Sequence, residues 1–201
     1  MDSKISEEVQ SHRVPDHEID PLFLNRWSPR AFSNESIDDA TLNRVFEAAR
    51  WAPSSMNEQP WRFVIARTPQ DRERFVEFLM PGNQAWAKNA PVLIVVVTKK
   101  TFTSRDMANP VAAFDAGCAW GFLALAAVQN GLITHGMAGF DRDKARETLG
   151  LPEDFDSVAV IALGKHGDAA NLPPELRERE KPSGRRPLSE TVMEGGFKVT
   201  A

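Results

Sequence analysis

Two neighbouring stretches decide the interpretation of this chain: Arg26-Trp27-Ser28-Pro29-Arg30-Ala31-Phe32 and, one amphipathic helix later, Ala52-Pro53-Ser54-Ser55-Met56-Asn57-Glu58-Gln59-Pro60-Trp61. The first stretch places two guanidinium groups around a hydroxyl, and arginine suits phosphate because its planar fork donates paired, charge-assisted hydrogen bonds. The second is a loop stiffened by prolines, and its asparagine can both donate and accept. Taken alone, two arginines favour a solvated turn, and the second stretch is as consistent with a plain loop as with a site. Together they suggest a pocket for a flat ligand with a phosphate tail.

Composition and charge indicate an ordinary globular protein and exclude several classes. The chain has 201 residues, 42% hydrophobic and 26% charged, which is enough to bury one core, and we expect a single domain. The net charge of -4 and the lack of a long Lys/Arg cluster give no support to a nucleic-acid partner. Cys118 is the only cysteine, which excludes an internal disulfide and a multi-cysteine metal site. His12, His17 and His166 have no matching ligand set, so no metal is expected.

The same features predict a cytoplasmic protein. A lone cysteine fits a reducing compartment, and residues 1–20 are charged and lack the apolar core of a signal peptide. No window is expected to be apolar enough to span a bilayer, since the nearest, Ala112 to Val128, contains Asp115 and two glycines. We therefore expect no membrane partner.

Three regions are expected along the chain: a polar arm over residues 1–20, mobile or bound to a partner, a single domain over residues 21–192, and a tail over residues 193–201. Apolar periodicity, together with the positions of proline and glycine, predicts strands and helices that alternate within the domain. The predicted strands cover residues 61–66, 92–97, 132–137 and 157–163, and the predicted helices follow Ser36, Thr68, Pro110 and Asp141. Residues 169–184, with the charge run 177–181, should be exposed. This order indicates three layers, with helices covering a sheet.

The segment between Pro110 and Asn130 is made of Ala, Leu, Phe and Trp with almost no charge, and Gly131 follows it as a helix C-cap. A helix that is apolar all round must be buried, and a monomer of this size has few places to bury it. The segment therefore predicts a dimer interface.

The ordered set of motifs resembles the FMN-dependent nitroreductase superfamily. The likeness extends from about residue 21 to residue 192. After the two quoted stretches it continues through Asn89-Ala90-Pro91, the apolar helix from Asp115, Gly131-Leu132, Met137-Ala138-Gly139-Phe140-Asp141, Leu149-Gly150-Leu151-Pro152 and Arg185-Arg186-Pro187-Leu188. The resemblance implies an α+β fold, a three-layer α/β/α sandwich around a mixed, mostly antiparallel sheet. It also implies a homodimer with FMN bound at the subunit interface.

The resemblance assigns the first stretch to the cofactor's tail. Arg26 and Ser28, with Trp27 between them, would hold the phosphate and ribityl end of FMN. Arg30 would belong to the same motif or would face the N1 and O2 edge of the flavin, where a cation stabilises the charge that reduction creates. A late basic residue would complete the phosphate clamp, and spacing does not choose between Arg185 and Arg186.

The resemblance assigns the remaining cofactor contacts to three further segments. The loop that comes from the partner subunit would contribute Pro53, Ser54, Ser55 and Asn57. Backbone amides would approach N5 and O4 of the flavin from the stretch Gly136, Met137, Ala138 and Gly139. Asn83 matches a position that contacts the pyrimidine ring in some relatives. His135 and Trp86 are candidates for the acceptor side.

The implied function is an FMN-dependent oxidoreductase. NADH or NADPH would supply hydride, and a nitroaromatic compound, quinone, enone or aldehyde would accept it in a two-step ping-pong reaction that needs no protein nucleophile. The chain has no G-x-G-x-x-G fingerprint after a strand, which agrees with a nicotinamide that binds only transiently. Two alternatives stay open: a flavin-binding, flavin-remodelling or dehalogenating protein on the same fold, and a dimeric interaction domain without a cofactor.

Overall fold

The computed structural model describes residues 4–105 and 107–198. Nine α-helices and four β-strands occur in these ranges, together with 3-10 turns at Ser55–Asn57 and Ala169–Asn171. The strands are β1 Trp61–Ala66, β2 Val92–Lys99, β3 Ile133–Met137 and β4 Phe155–Gly164. The helices are α1 Glu7–Gln10, α2 Pro21–Asn25, α3 Asp39–Arg50, α4 Pro69–Glu77, α5 Pro81–Ala87, α6 Ala112–Gln129, α7 Arg142–Leu149, α8 Pro174–Arg177 and α9 Leu188–Thr191.

The four strands form one sheet in the order β1-β2-β4-β3. Every pairing is antiparallel, with Ile94 opposite both Ile65 and Ile161, and His135 opposite Ala162. The α+β class and the sheet between helices are confirmed. The parallel pairing that a mixed sheet requires does not occur within the described ranges.

Helices cover both faces of the sheet, which gives the predicted three layers. Side chains alternate along β2, so Leu93, Val95 and Val97 pack with α4, α5 and α7, whereas Val92, Ile94 and Val96 pack with α3 and α6. The hydrophobic clusters on the two faces of the sheet are fully buried at β2, where Leu93 and Ile94 are each 0% exposed. Burying each such side chain contributes about 1.5–3 kcal/mol, so the two-sided packing of β2 fixes the sheet between its helices.

Two of the predicted helix boundaries need correction. Asp38, not Ser36, caps α3, because its carboxylate accepts hydrogen bonds from both the backbone N–H and the hydroxyl of Thr41. Helix α4 stops at Glu77, and Pro81-Gly82, expected to end it, instead begins the separate helix α5. The caps predicted at Thr68 and Asp141 are present.

The N-terminal segment packs against the domain within its described part. Val9 on α1 is 1% exposed, and Arg13 is 8% exposed. The side chain of Arg13 donates to the carbonyls of Leu24, Arg26 and Ser183 at 2.5, 2.9 and 2.9 Å. One buried guanidinium thus docks the described part of the arm on the domain, and a mobile or partner-bound arm stays a prediction.

Helix α6 is expected from its sequence to be buried all round, but in the single chain one of its sides is exposed. Among the described residues it is long and apolar enough, by length and composition alone, to cross a membrane, a test that the core helix of a soluble protein also passes. It packs against α3 and the sheet, and Ala119, Leu123 and Ala127 on that side are fully buried. The opposite side is open, where Phe114 is 74% and Phe122 is 42% exposed.

Candidate functional site

A pocket of about 320 Å³ lies beside the first of the two quoted stretches, and we call it the basic pocket. The residues that line it come from four parts of the chain: Arg13, Arg26, Trp27, Ser28, Arg30, His135, Arg179, Lys181, Ser183 and Arg185. Six of the ten are Arg or Lys. No carboxylate lines the basic pocket among the residues that the structure describes, so it is suited to an anion.

The C-terminal wall of the basic pocket is formed by every second residue of a segment that is neither helix nor strand. Residues 179, 181, 183 and 185 line the pocket, and we call residues 178–185 the strap. Glu180 lies on the other side of the strap, where its side chain is 2% exposed. The carboxylate of Glu180 accepts the backbone N–H of Arg30 at 2.8 and 2.9 Å and that of Ala31 at 2.8 Å. The charge run 177–181 was expected to face solvent, and that expectation is wrong at Glu180.

The loop at Arg26–Phe32 is also held from the end of β4. Ser33 N–H donates to the carbonyl of Lys165 at 3.0 Å, and Gly167 N–H donates to the carbonyl of Ala31 at 2.8 Å. A Cβ on Gly167 would lie 2.7 Å from the backbone of Phe32 and Ser33. The two backbones can approach this closely only because residue 167 has no side chain.

His135 on β3 forms the floor of the basic pocket. Its Nδ1–H donates to the carbonyl of Pro29 at 3.0 Å, and its ring centroid is 4.5 Å from that of Trp86. Burial lowers the pKa of His135, and the charge of Arg30 opposes protonation as well, so the ring is neutral at neutral pH. Trp86 itself is 1% exposed, and it stacks on Phe32 at 6.0 Å as part of the core. Trp86 does not line the basic pocket.

The second quoted stretch forms a strained loop. Met56, Asn57 and Gln59 have φ values of 54, 55 and 50°, a conformation that costs non-glycine residues about 1–2 kcal/mol each. Two internal contacts hold the loop in this form: Ser54 Oγ accepts from Gln59 N–H, and the Gln59 amide donates to the side chain of Asn57. The polar groups of the loop are thereby fixed before any ligand arrives.

Two carboxylates, one on α6 and one in the strained loop itself, anchor the loop to the domain. Asp115, 3% exposed in the first turn of α6, accepts from the backbone N–H of Ser55 at 3.1 Å. Glu58 accepts the hydroxyl and the backbone N–H of Thr103, and the hydroxyl contact is the leading cause that lowers the pKa of Glu58.

The strained loop belongs to a different pocket of the same chain. Pro53, Ser54 and Ser55 line a space of about 280 Å³ together with Val111, Phe114, Asp115 and Cys118. None of these described residues lines the basic pocket. One chain alone therefore does not bring the two quoted stretches to a common cavity.

The stretch Gly136 to Gly139 leaves β3 beside α5 and α6. A Cβ on Gly136 would lie 3.3 Å from the Trp120 ring, and one on Gly139 would lie 3.0 Å from Asn83 Nδ2. The Asn83 side chain donates to the Gly139 carbonyl at 2.9 Å, so these two predicted residues do meet. Met137 is 4% exposed, whereas Ala138 is exposed.

Comparison with known proteins decides the family. The model of the nitroreductase family matches residues 24–83 and 77–165, which is more than half of the chain. The chain belongs to the nitroreductase family. A solved structure described as an oxidoreductase containing FMN superposes on it with a TM-score of 0.90 and is 43% identical, covering 94% of this chain and 97% of its own.

Two sequence relatives of this nitroreductase-family protein agree with that assignment. One, from Streptomyces coelicolor, is provisionally named an NADH dehydrogenase/NAD(P)H nitroreductase and is 28% identical over 171 residues, 76% of this chain and 85% of the relative. The other, named NADH dehydrogenase, comes from Thermus thermophilus and is 28% identical over 201 residues, 85% of this chain and 92% of the relative.

The electrostatics of this nitroreductase-family protein fit an anionic ligand in the basic pocket. Burial lowers the pKa of Arg26, and the nearby charge of Arg185 lowers it further. Burial also lowers the pKa of Arg30, where Arg179 adds to the effect and Glu180 opposes it. Like charges are thus held together in a half-buried place. A phosphate group would relieve their repulsion and satisfy guanidinium donors.

The basic pocket brings together the predicted residues Arg26, Trp27, Ser28 and Arg30, and it includes Arg185 but not Arg186. Arg186 lies instead on the neighbouring groove beside the N-terminal segment. Sequence reasoning missed further members: Arg13, Arg179, Lys181 and Ser183. The only sequence signal for Arg179 and Lys181 is the charge run 177–181, and such a run is equally typical of a solvated surface.

No group of three or more metal-binding side chains (His, Cys, Asp or Glu) is clustered within residues 4–105 and 107–198. The groups that the candidate site offers to a ligand are the cations of the basic pocket and the polar side chains of the strained loop.

Proposed function

We propose that this protein is an FMN-dependent oxidoreductase that takes hydride from NADH or NADPH and passes it to a small organic acceptor. The observation that carries the proposal is the basic pocket, where the Arg26–Arg30 stretch meets Arg185 across more than 150 residues of sequence. Membership of the nitroreductase family and the similarity to an oxidoreductase described as containing FMN support it.

In this proposal the basic pocket holds the phosphate end of FMN. Arg26 and Arg185 supply charge-assisted hydrogen bonds, and the Ser28 hydroxyl, 3.5 Å from Arg26 Nη1, supplies a further donor. Trp27 covers the ribityl side. Arg30 takes the position nearest the flavin ring, where its charge stabilises the negative charge that reduction creates. Arg186 has no part in the pocket.

The other cofactor contacts come from a second copy of the chain. The strained loop, with Pro53, Ser54, Ser55 and Asn57, is preorganised yet lies in a separate pocket of its own chain, so a homodimer would bring it to the partner's basic pocket. The exposed Phe114 of α6 supports such an interface, because it lines the same pocket as the strained loop, and Phe122 adds a second exposed aromatic ring on this helix.

Bound FMN would supply the redox chemistry, accepting hydride from the donor and passing it on in a two-step, ping-pong reaction. The chain's own part is to bind and orient. The backbone around Gly136, Met137, Ala138 and Gly139 offers N–H groups, and Asn83 fixes the carbonyl of Gly139. In this proposal the acceptor is a nitroaromatic compound, a quinone, an enone or an aldehyde.

The proposal is tested on the purified protein by its visible spectrum, followed by anaerobic bleaching with NADH and with NADPH and by reoxidation with a panel of these acceptors. A flavin spectrum, bleaching by at least one donor and recovery by at least one acceptor are expected. A protein that holds FMN without oxidising either donor would point to the flavin-remodelling alternative. A protein that gains no flavin absorbance when mixed with FMN would leave only the interaction domain.

A further inference from the structure

We infer that Glu180 is the positioning residue of the basic pocket: its buried carboxylate fastens the strap to the Arg26–Phe32 loop and so brings two sets of cations together. This inference rests on the proposed function, since it names the residue that shapes the phosphate end of the same site. Glu180 touches neither the pocket nor any ligand there.

The alternation of the strap carries the first step. Every second residue of the strap from Arg179 to Arg185 lines the basic pocket. Arg179, Lys181 and Arg185 point to the basic pocket, and Glu180 points away from it and is 2% exposed. Of the two acidic residues of the strap, Glu180 is the one whose side chain is turned into the protein, whereas Glu178 is exposed.

The hydrogen bonds of Glu180 carry the second step. Two carboxylate oxygens accept three N–H contacts from consecutive backbone groups, those of Arg30 and Ala31. These contacts fix the peptide that carries the Arg30 side chain. They also join positions 150 and 149 residues apart in sequence, in addition to the backbone bridge that ties Phe32 to His166.

The charges around Glu180 are consistent with this role. His166 Nε2 lies 3.5 Å from Glu180 Oε1, and Arg30 and His135 are the other titratable groups that interact with the carboxylate. Burial raises the pKa of Glu180, but the contacts of His166, Ala31 and Arg30 outweigh it, so the net pKa is lowered and the carboxylate is charged at neutral pH. At neutral pH Glu180 therefore accepts the backbone hydrogen bonds of Arg30 and Ala31 as a charged carboxylate.

The decisive variant is Glu180→Gln. The amide keeps the shape of the side chain but replaces one acceptor oxygen with an NH2 group that faces the Arg30 N–H, so the loop and the strap lose their common anchor. We expect FMN to bind at least about tenfold more weakly, because the cations no longer converge. Riboflavin, which lacks the phosphate, should lose less than about twofold.

Glu178→Gln is the matched control, because Glu178 is an exposed acidic residue of the same strap. It removes the same charge and should leave both flavin affinities unchanged. Equal losses of FMN and riboflavin in Glu180→Gln, in step with a lower melting temperature, would reduce Glu180 to a role in general stability and overturn the inference. Unchanged FMN binding in Glu180→Gln would also overturn it.

A measurement on the wild-type protein covers the case in which Glu180→Gln does not fold. The amides of Arg30 and Ala31 should resist hydrogen exchange in the FMN-free protein, since both donate to a buried carboxylate although neither is in a helix or strand. Rapid exchange of both amides would contradict the inference. The proposed function fails separately, if wild-type protein binds no FMN at all.

Discussion

Arg185 and Arg186 are adjacent in sequence, yet the structure gives them different surroundings. Arg185 lines both the basic pocket and the groove beside the N-terminal segment, whereas Arg186 lines only that groove. We expect Arg185→Ala to weaken FMN binding by about tenfold, the lower end for a charge-assisted contact because Arg185 is exposed. Arg186→Ala serves as its control and should bind FMN as the wild type does. Titration of flavin fluorescence measures both, and equal losses in the two variants would contradict the assignment.

His166 makes a second residue-level prediction, on stability against pH. The hydrogen bond to Glu180 raises the pKa of His166, with Glu8 adding to the effect and burial opposing it, and the imidazole meets Trp27 edge-on. A raised pKa in the folded state stabilises the protein below the unfolded pKa of about 6.5, and this stability is lost as the pH rises through the folded pKa.

The matched comparison for that prediction is His166→Asn. The wild type should exceed the variant in free energy of unfolding near pH 6, by less than about 1 kcal/mol because the ring is partly exposed. The difference should shrink towards pH 9. Urea titrations across this range measure it, and a difference that is constant or grows with pH would show that the pair is not a source of stability.

At the scale of elements, Gly167 governs how closely the end of β4 approaches the Arg26–Phe32 loop. In Gly167→Ala a Cβ would meet the backbone of residues 32 and 33 at 2.7 Å, and backbone cannot rotate away as a side chain can. We expect a loss of about 1–3 kcal/mol in the free energy of unfolding. Gly82→Ala on α5 is the control: it has open space and should gain up to about 1 kcal/mol.

Unfolding by urea distinguishes these two glycine variants. If Gly167→Ala is as stable as the wild type, the close approach at the end of β4 is not tight in solution. The expected opposite signs of the two changes make the comparison independent of the general effect of adding a methyl group.

Elements with local signals were predictable from the sequence. Strand β1 has the predicted bounds, and Thr68 and Asp141 cap their helices because a capping side chain needs only neighbours a few residues away. Ser36 and Asp38 both satisfy that local rule, and the double contact of Asp38 with Thr41 selects it. Local rules locate elements well, but they do not choose between two nearby caps.

The residues of the candidate site also differ in whether a local sequence signal predicts them. Arg26, Ser28 and Arg30 form one short motif, so the sequence alone indicates them. Glu180 could not be predicted, because a glutamate between Arg179 and Lys181 looks solvated until the strap is seen to lie across the loop. Its role depends on a contact between distant parts of the chain, and no periodicity records such a contact.

At the scale of the whole molecule, the open side of α6 predicts association. Phe114 is 74% exposed and borders the strained loop, so Phe114→Glu should weaken a homodimer by at least about tenfold and lower FMN retention with it. Gln129→Glu adds the same charge to an exposed polar position on α6, and its sedimenting species should have the same mass as that of the wild type. Sedimentation analysis with the flavin-to-protein ratio measures both. A monomeric wild type that retains FMN would contradict the shared site.

The number of residues between Arg30 and Glu180 determines when the basic pocket can be completed during synthesis. The two residues are 150 positions apart, and Arg13 is 170 positions from its acceptor Ser183. At ~5–20 residues per second, a ribosome needs about 8–30 s to pass from Arg30 to Glu180. Throughout that interval the nascent chain contains Arg13, Arg26 and Arg30 but not the strap, which completes the basic pocket. Under the proposed function, cofactor capture would therefore be a late event, confined to a chain whose strap has left the ribosome.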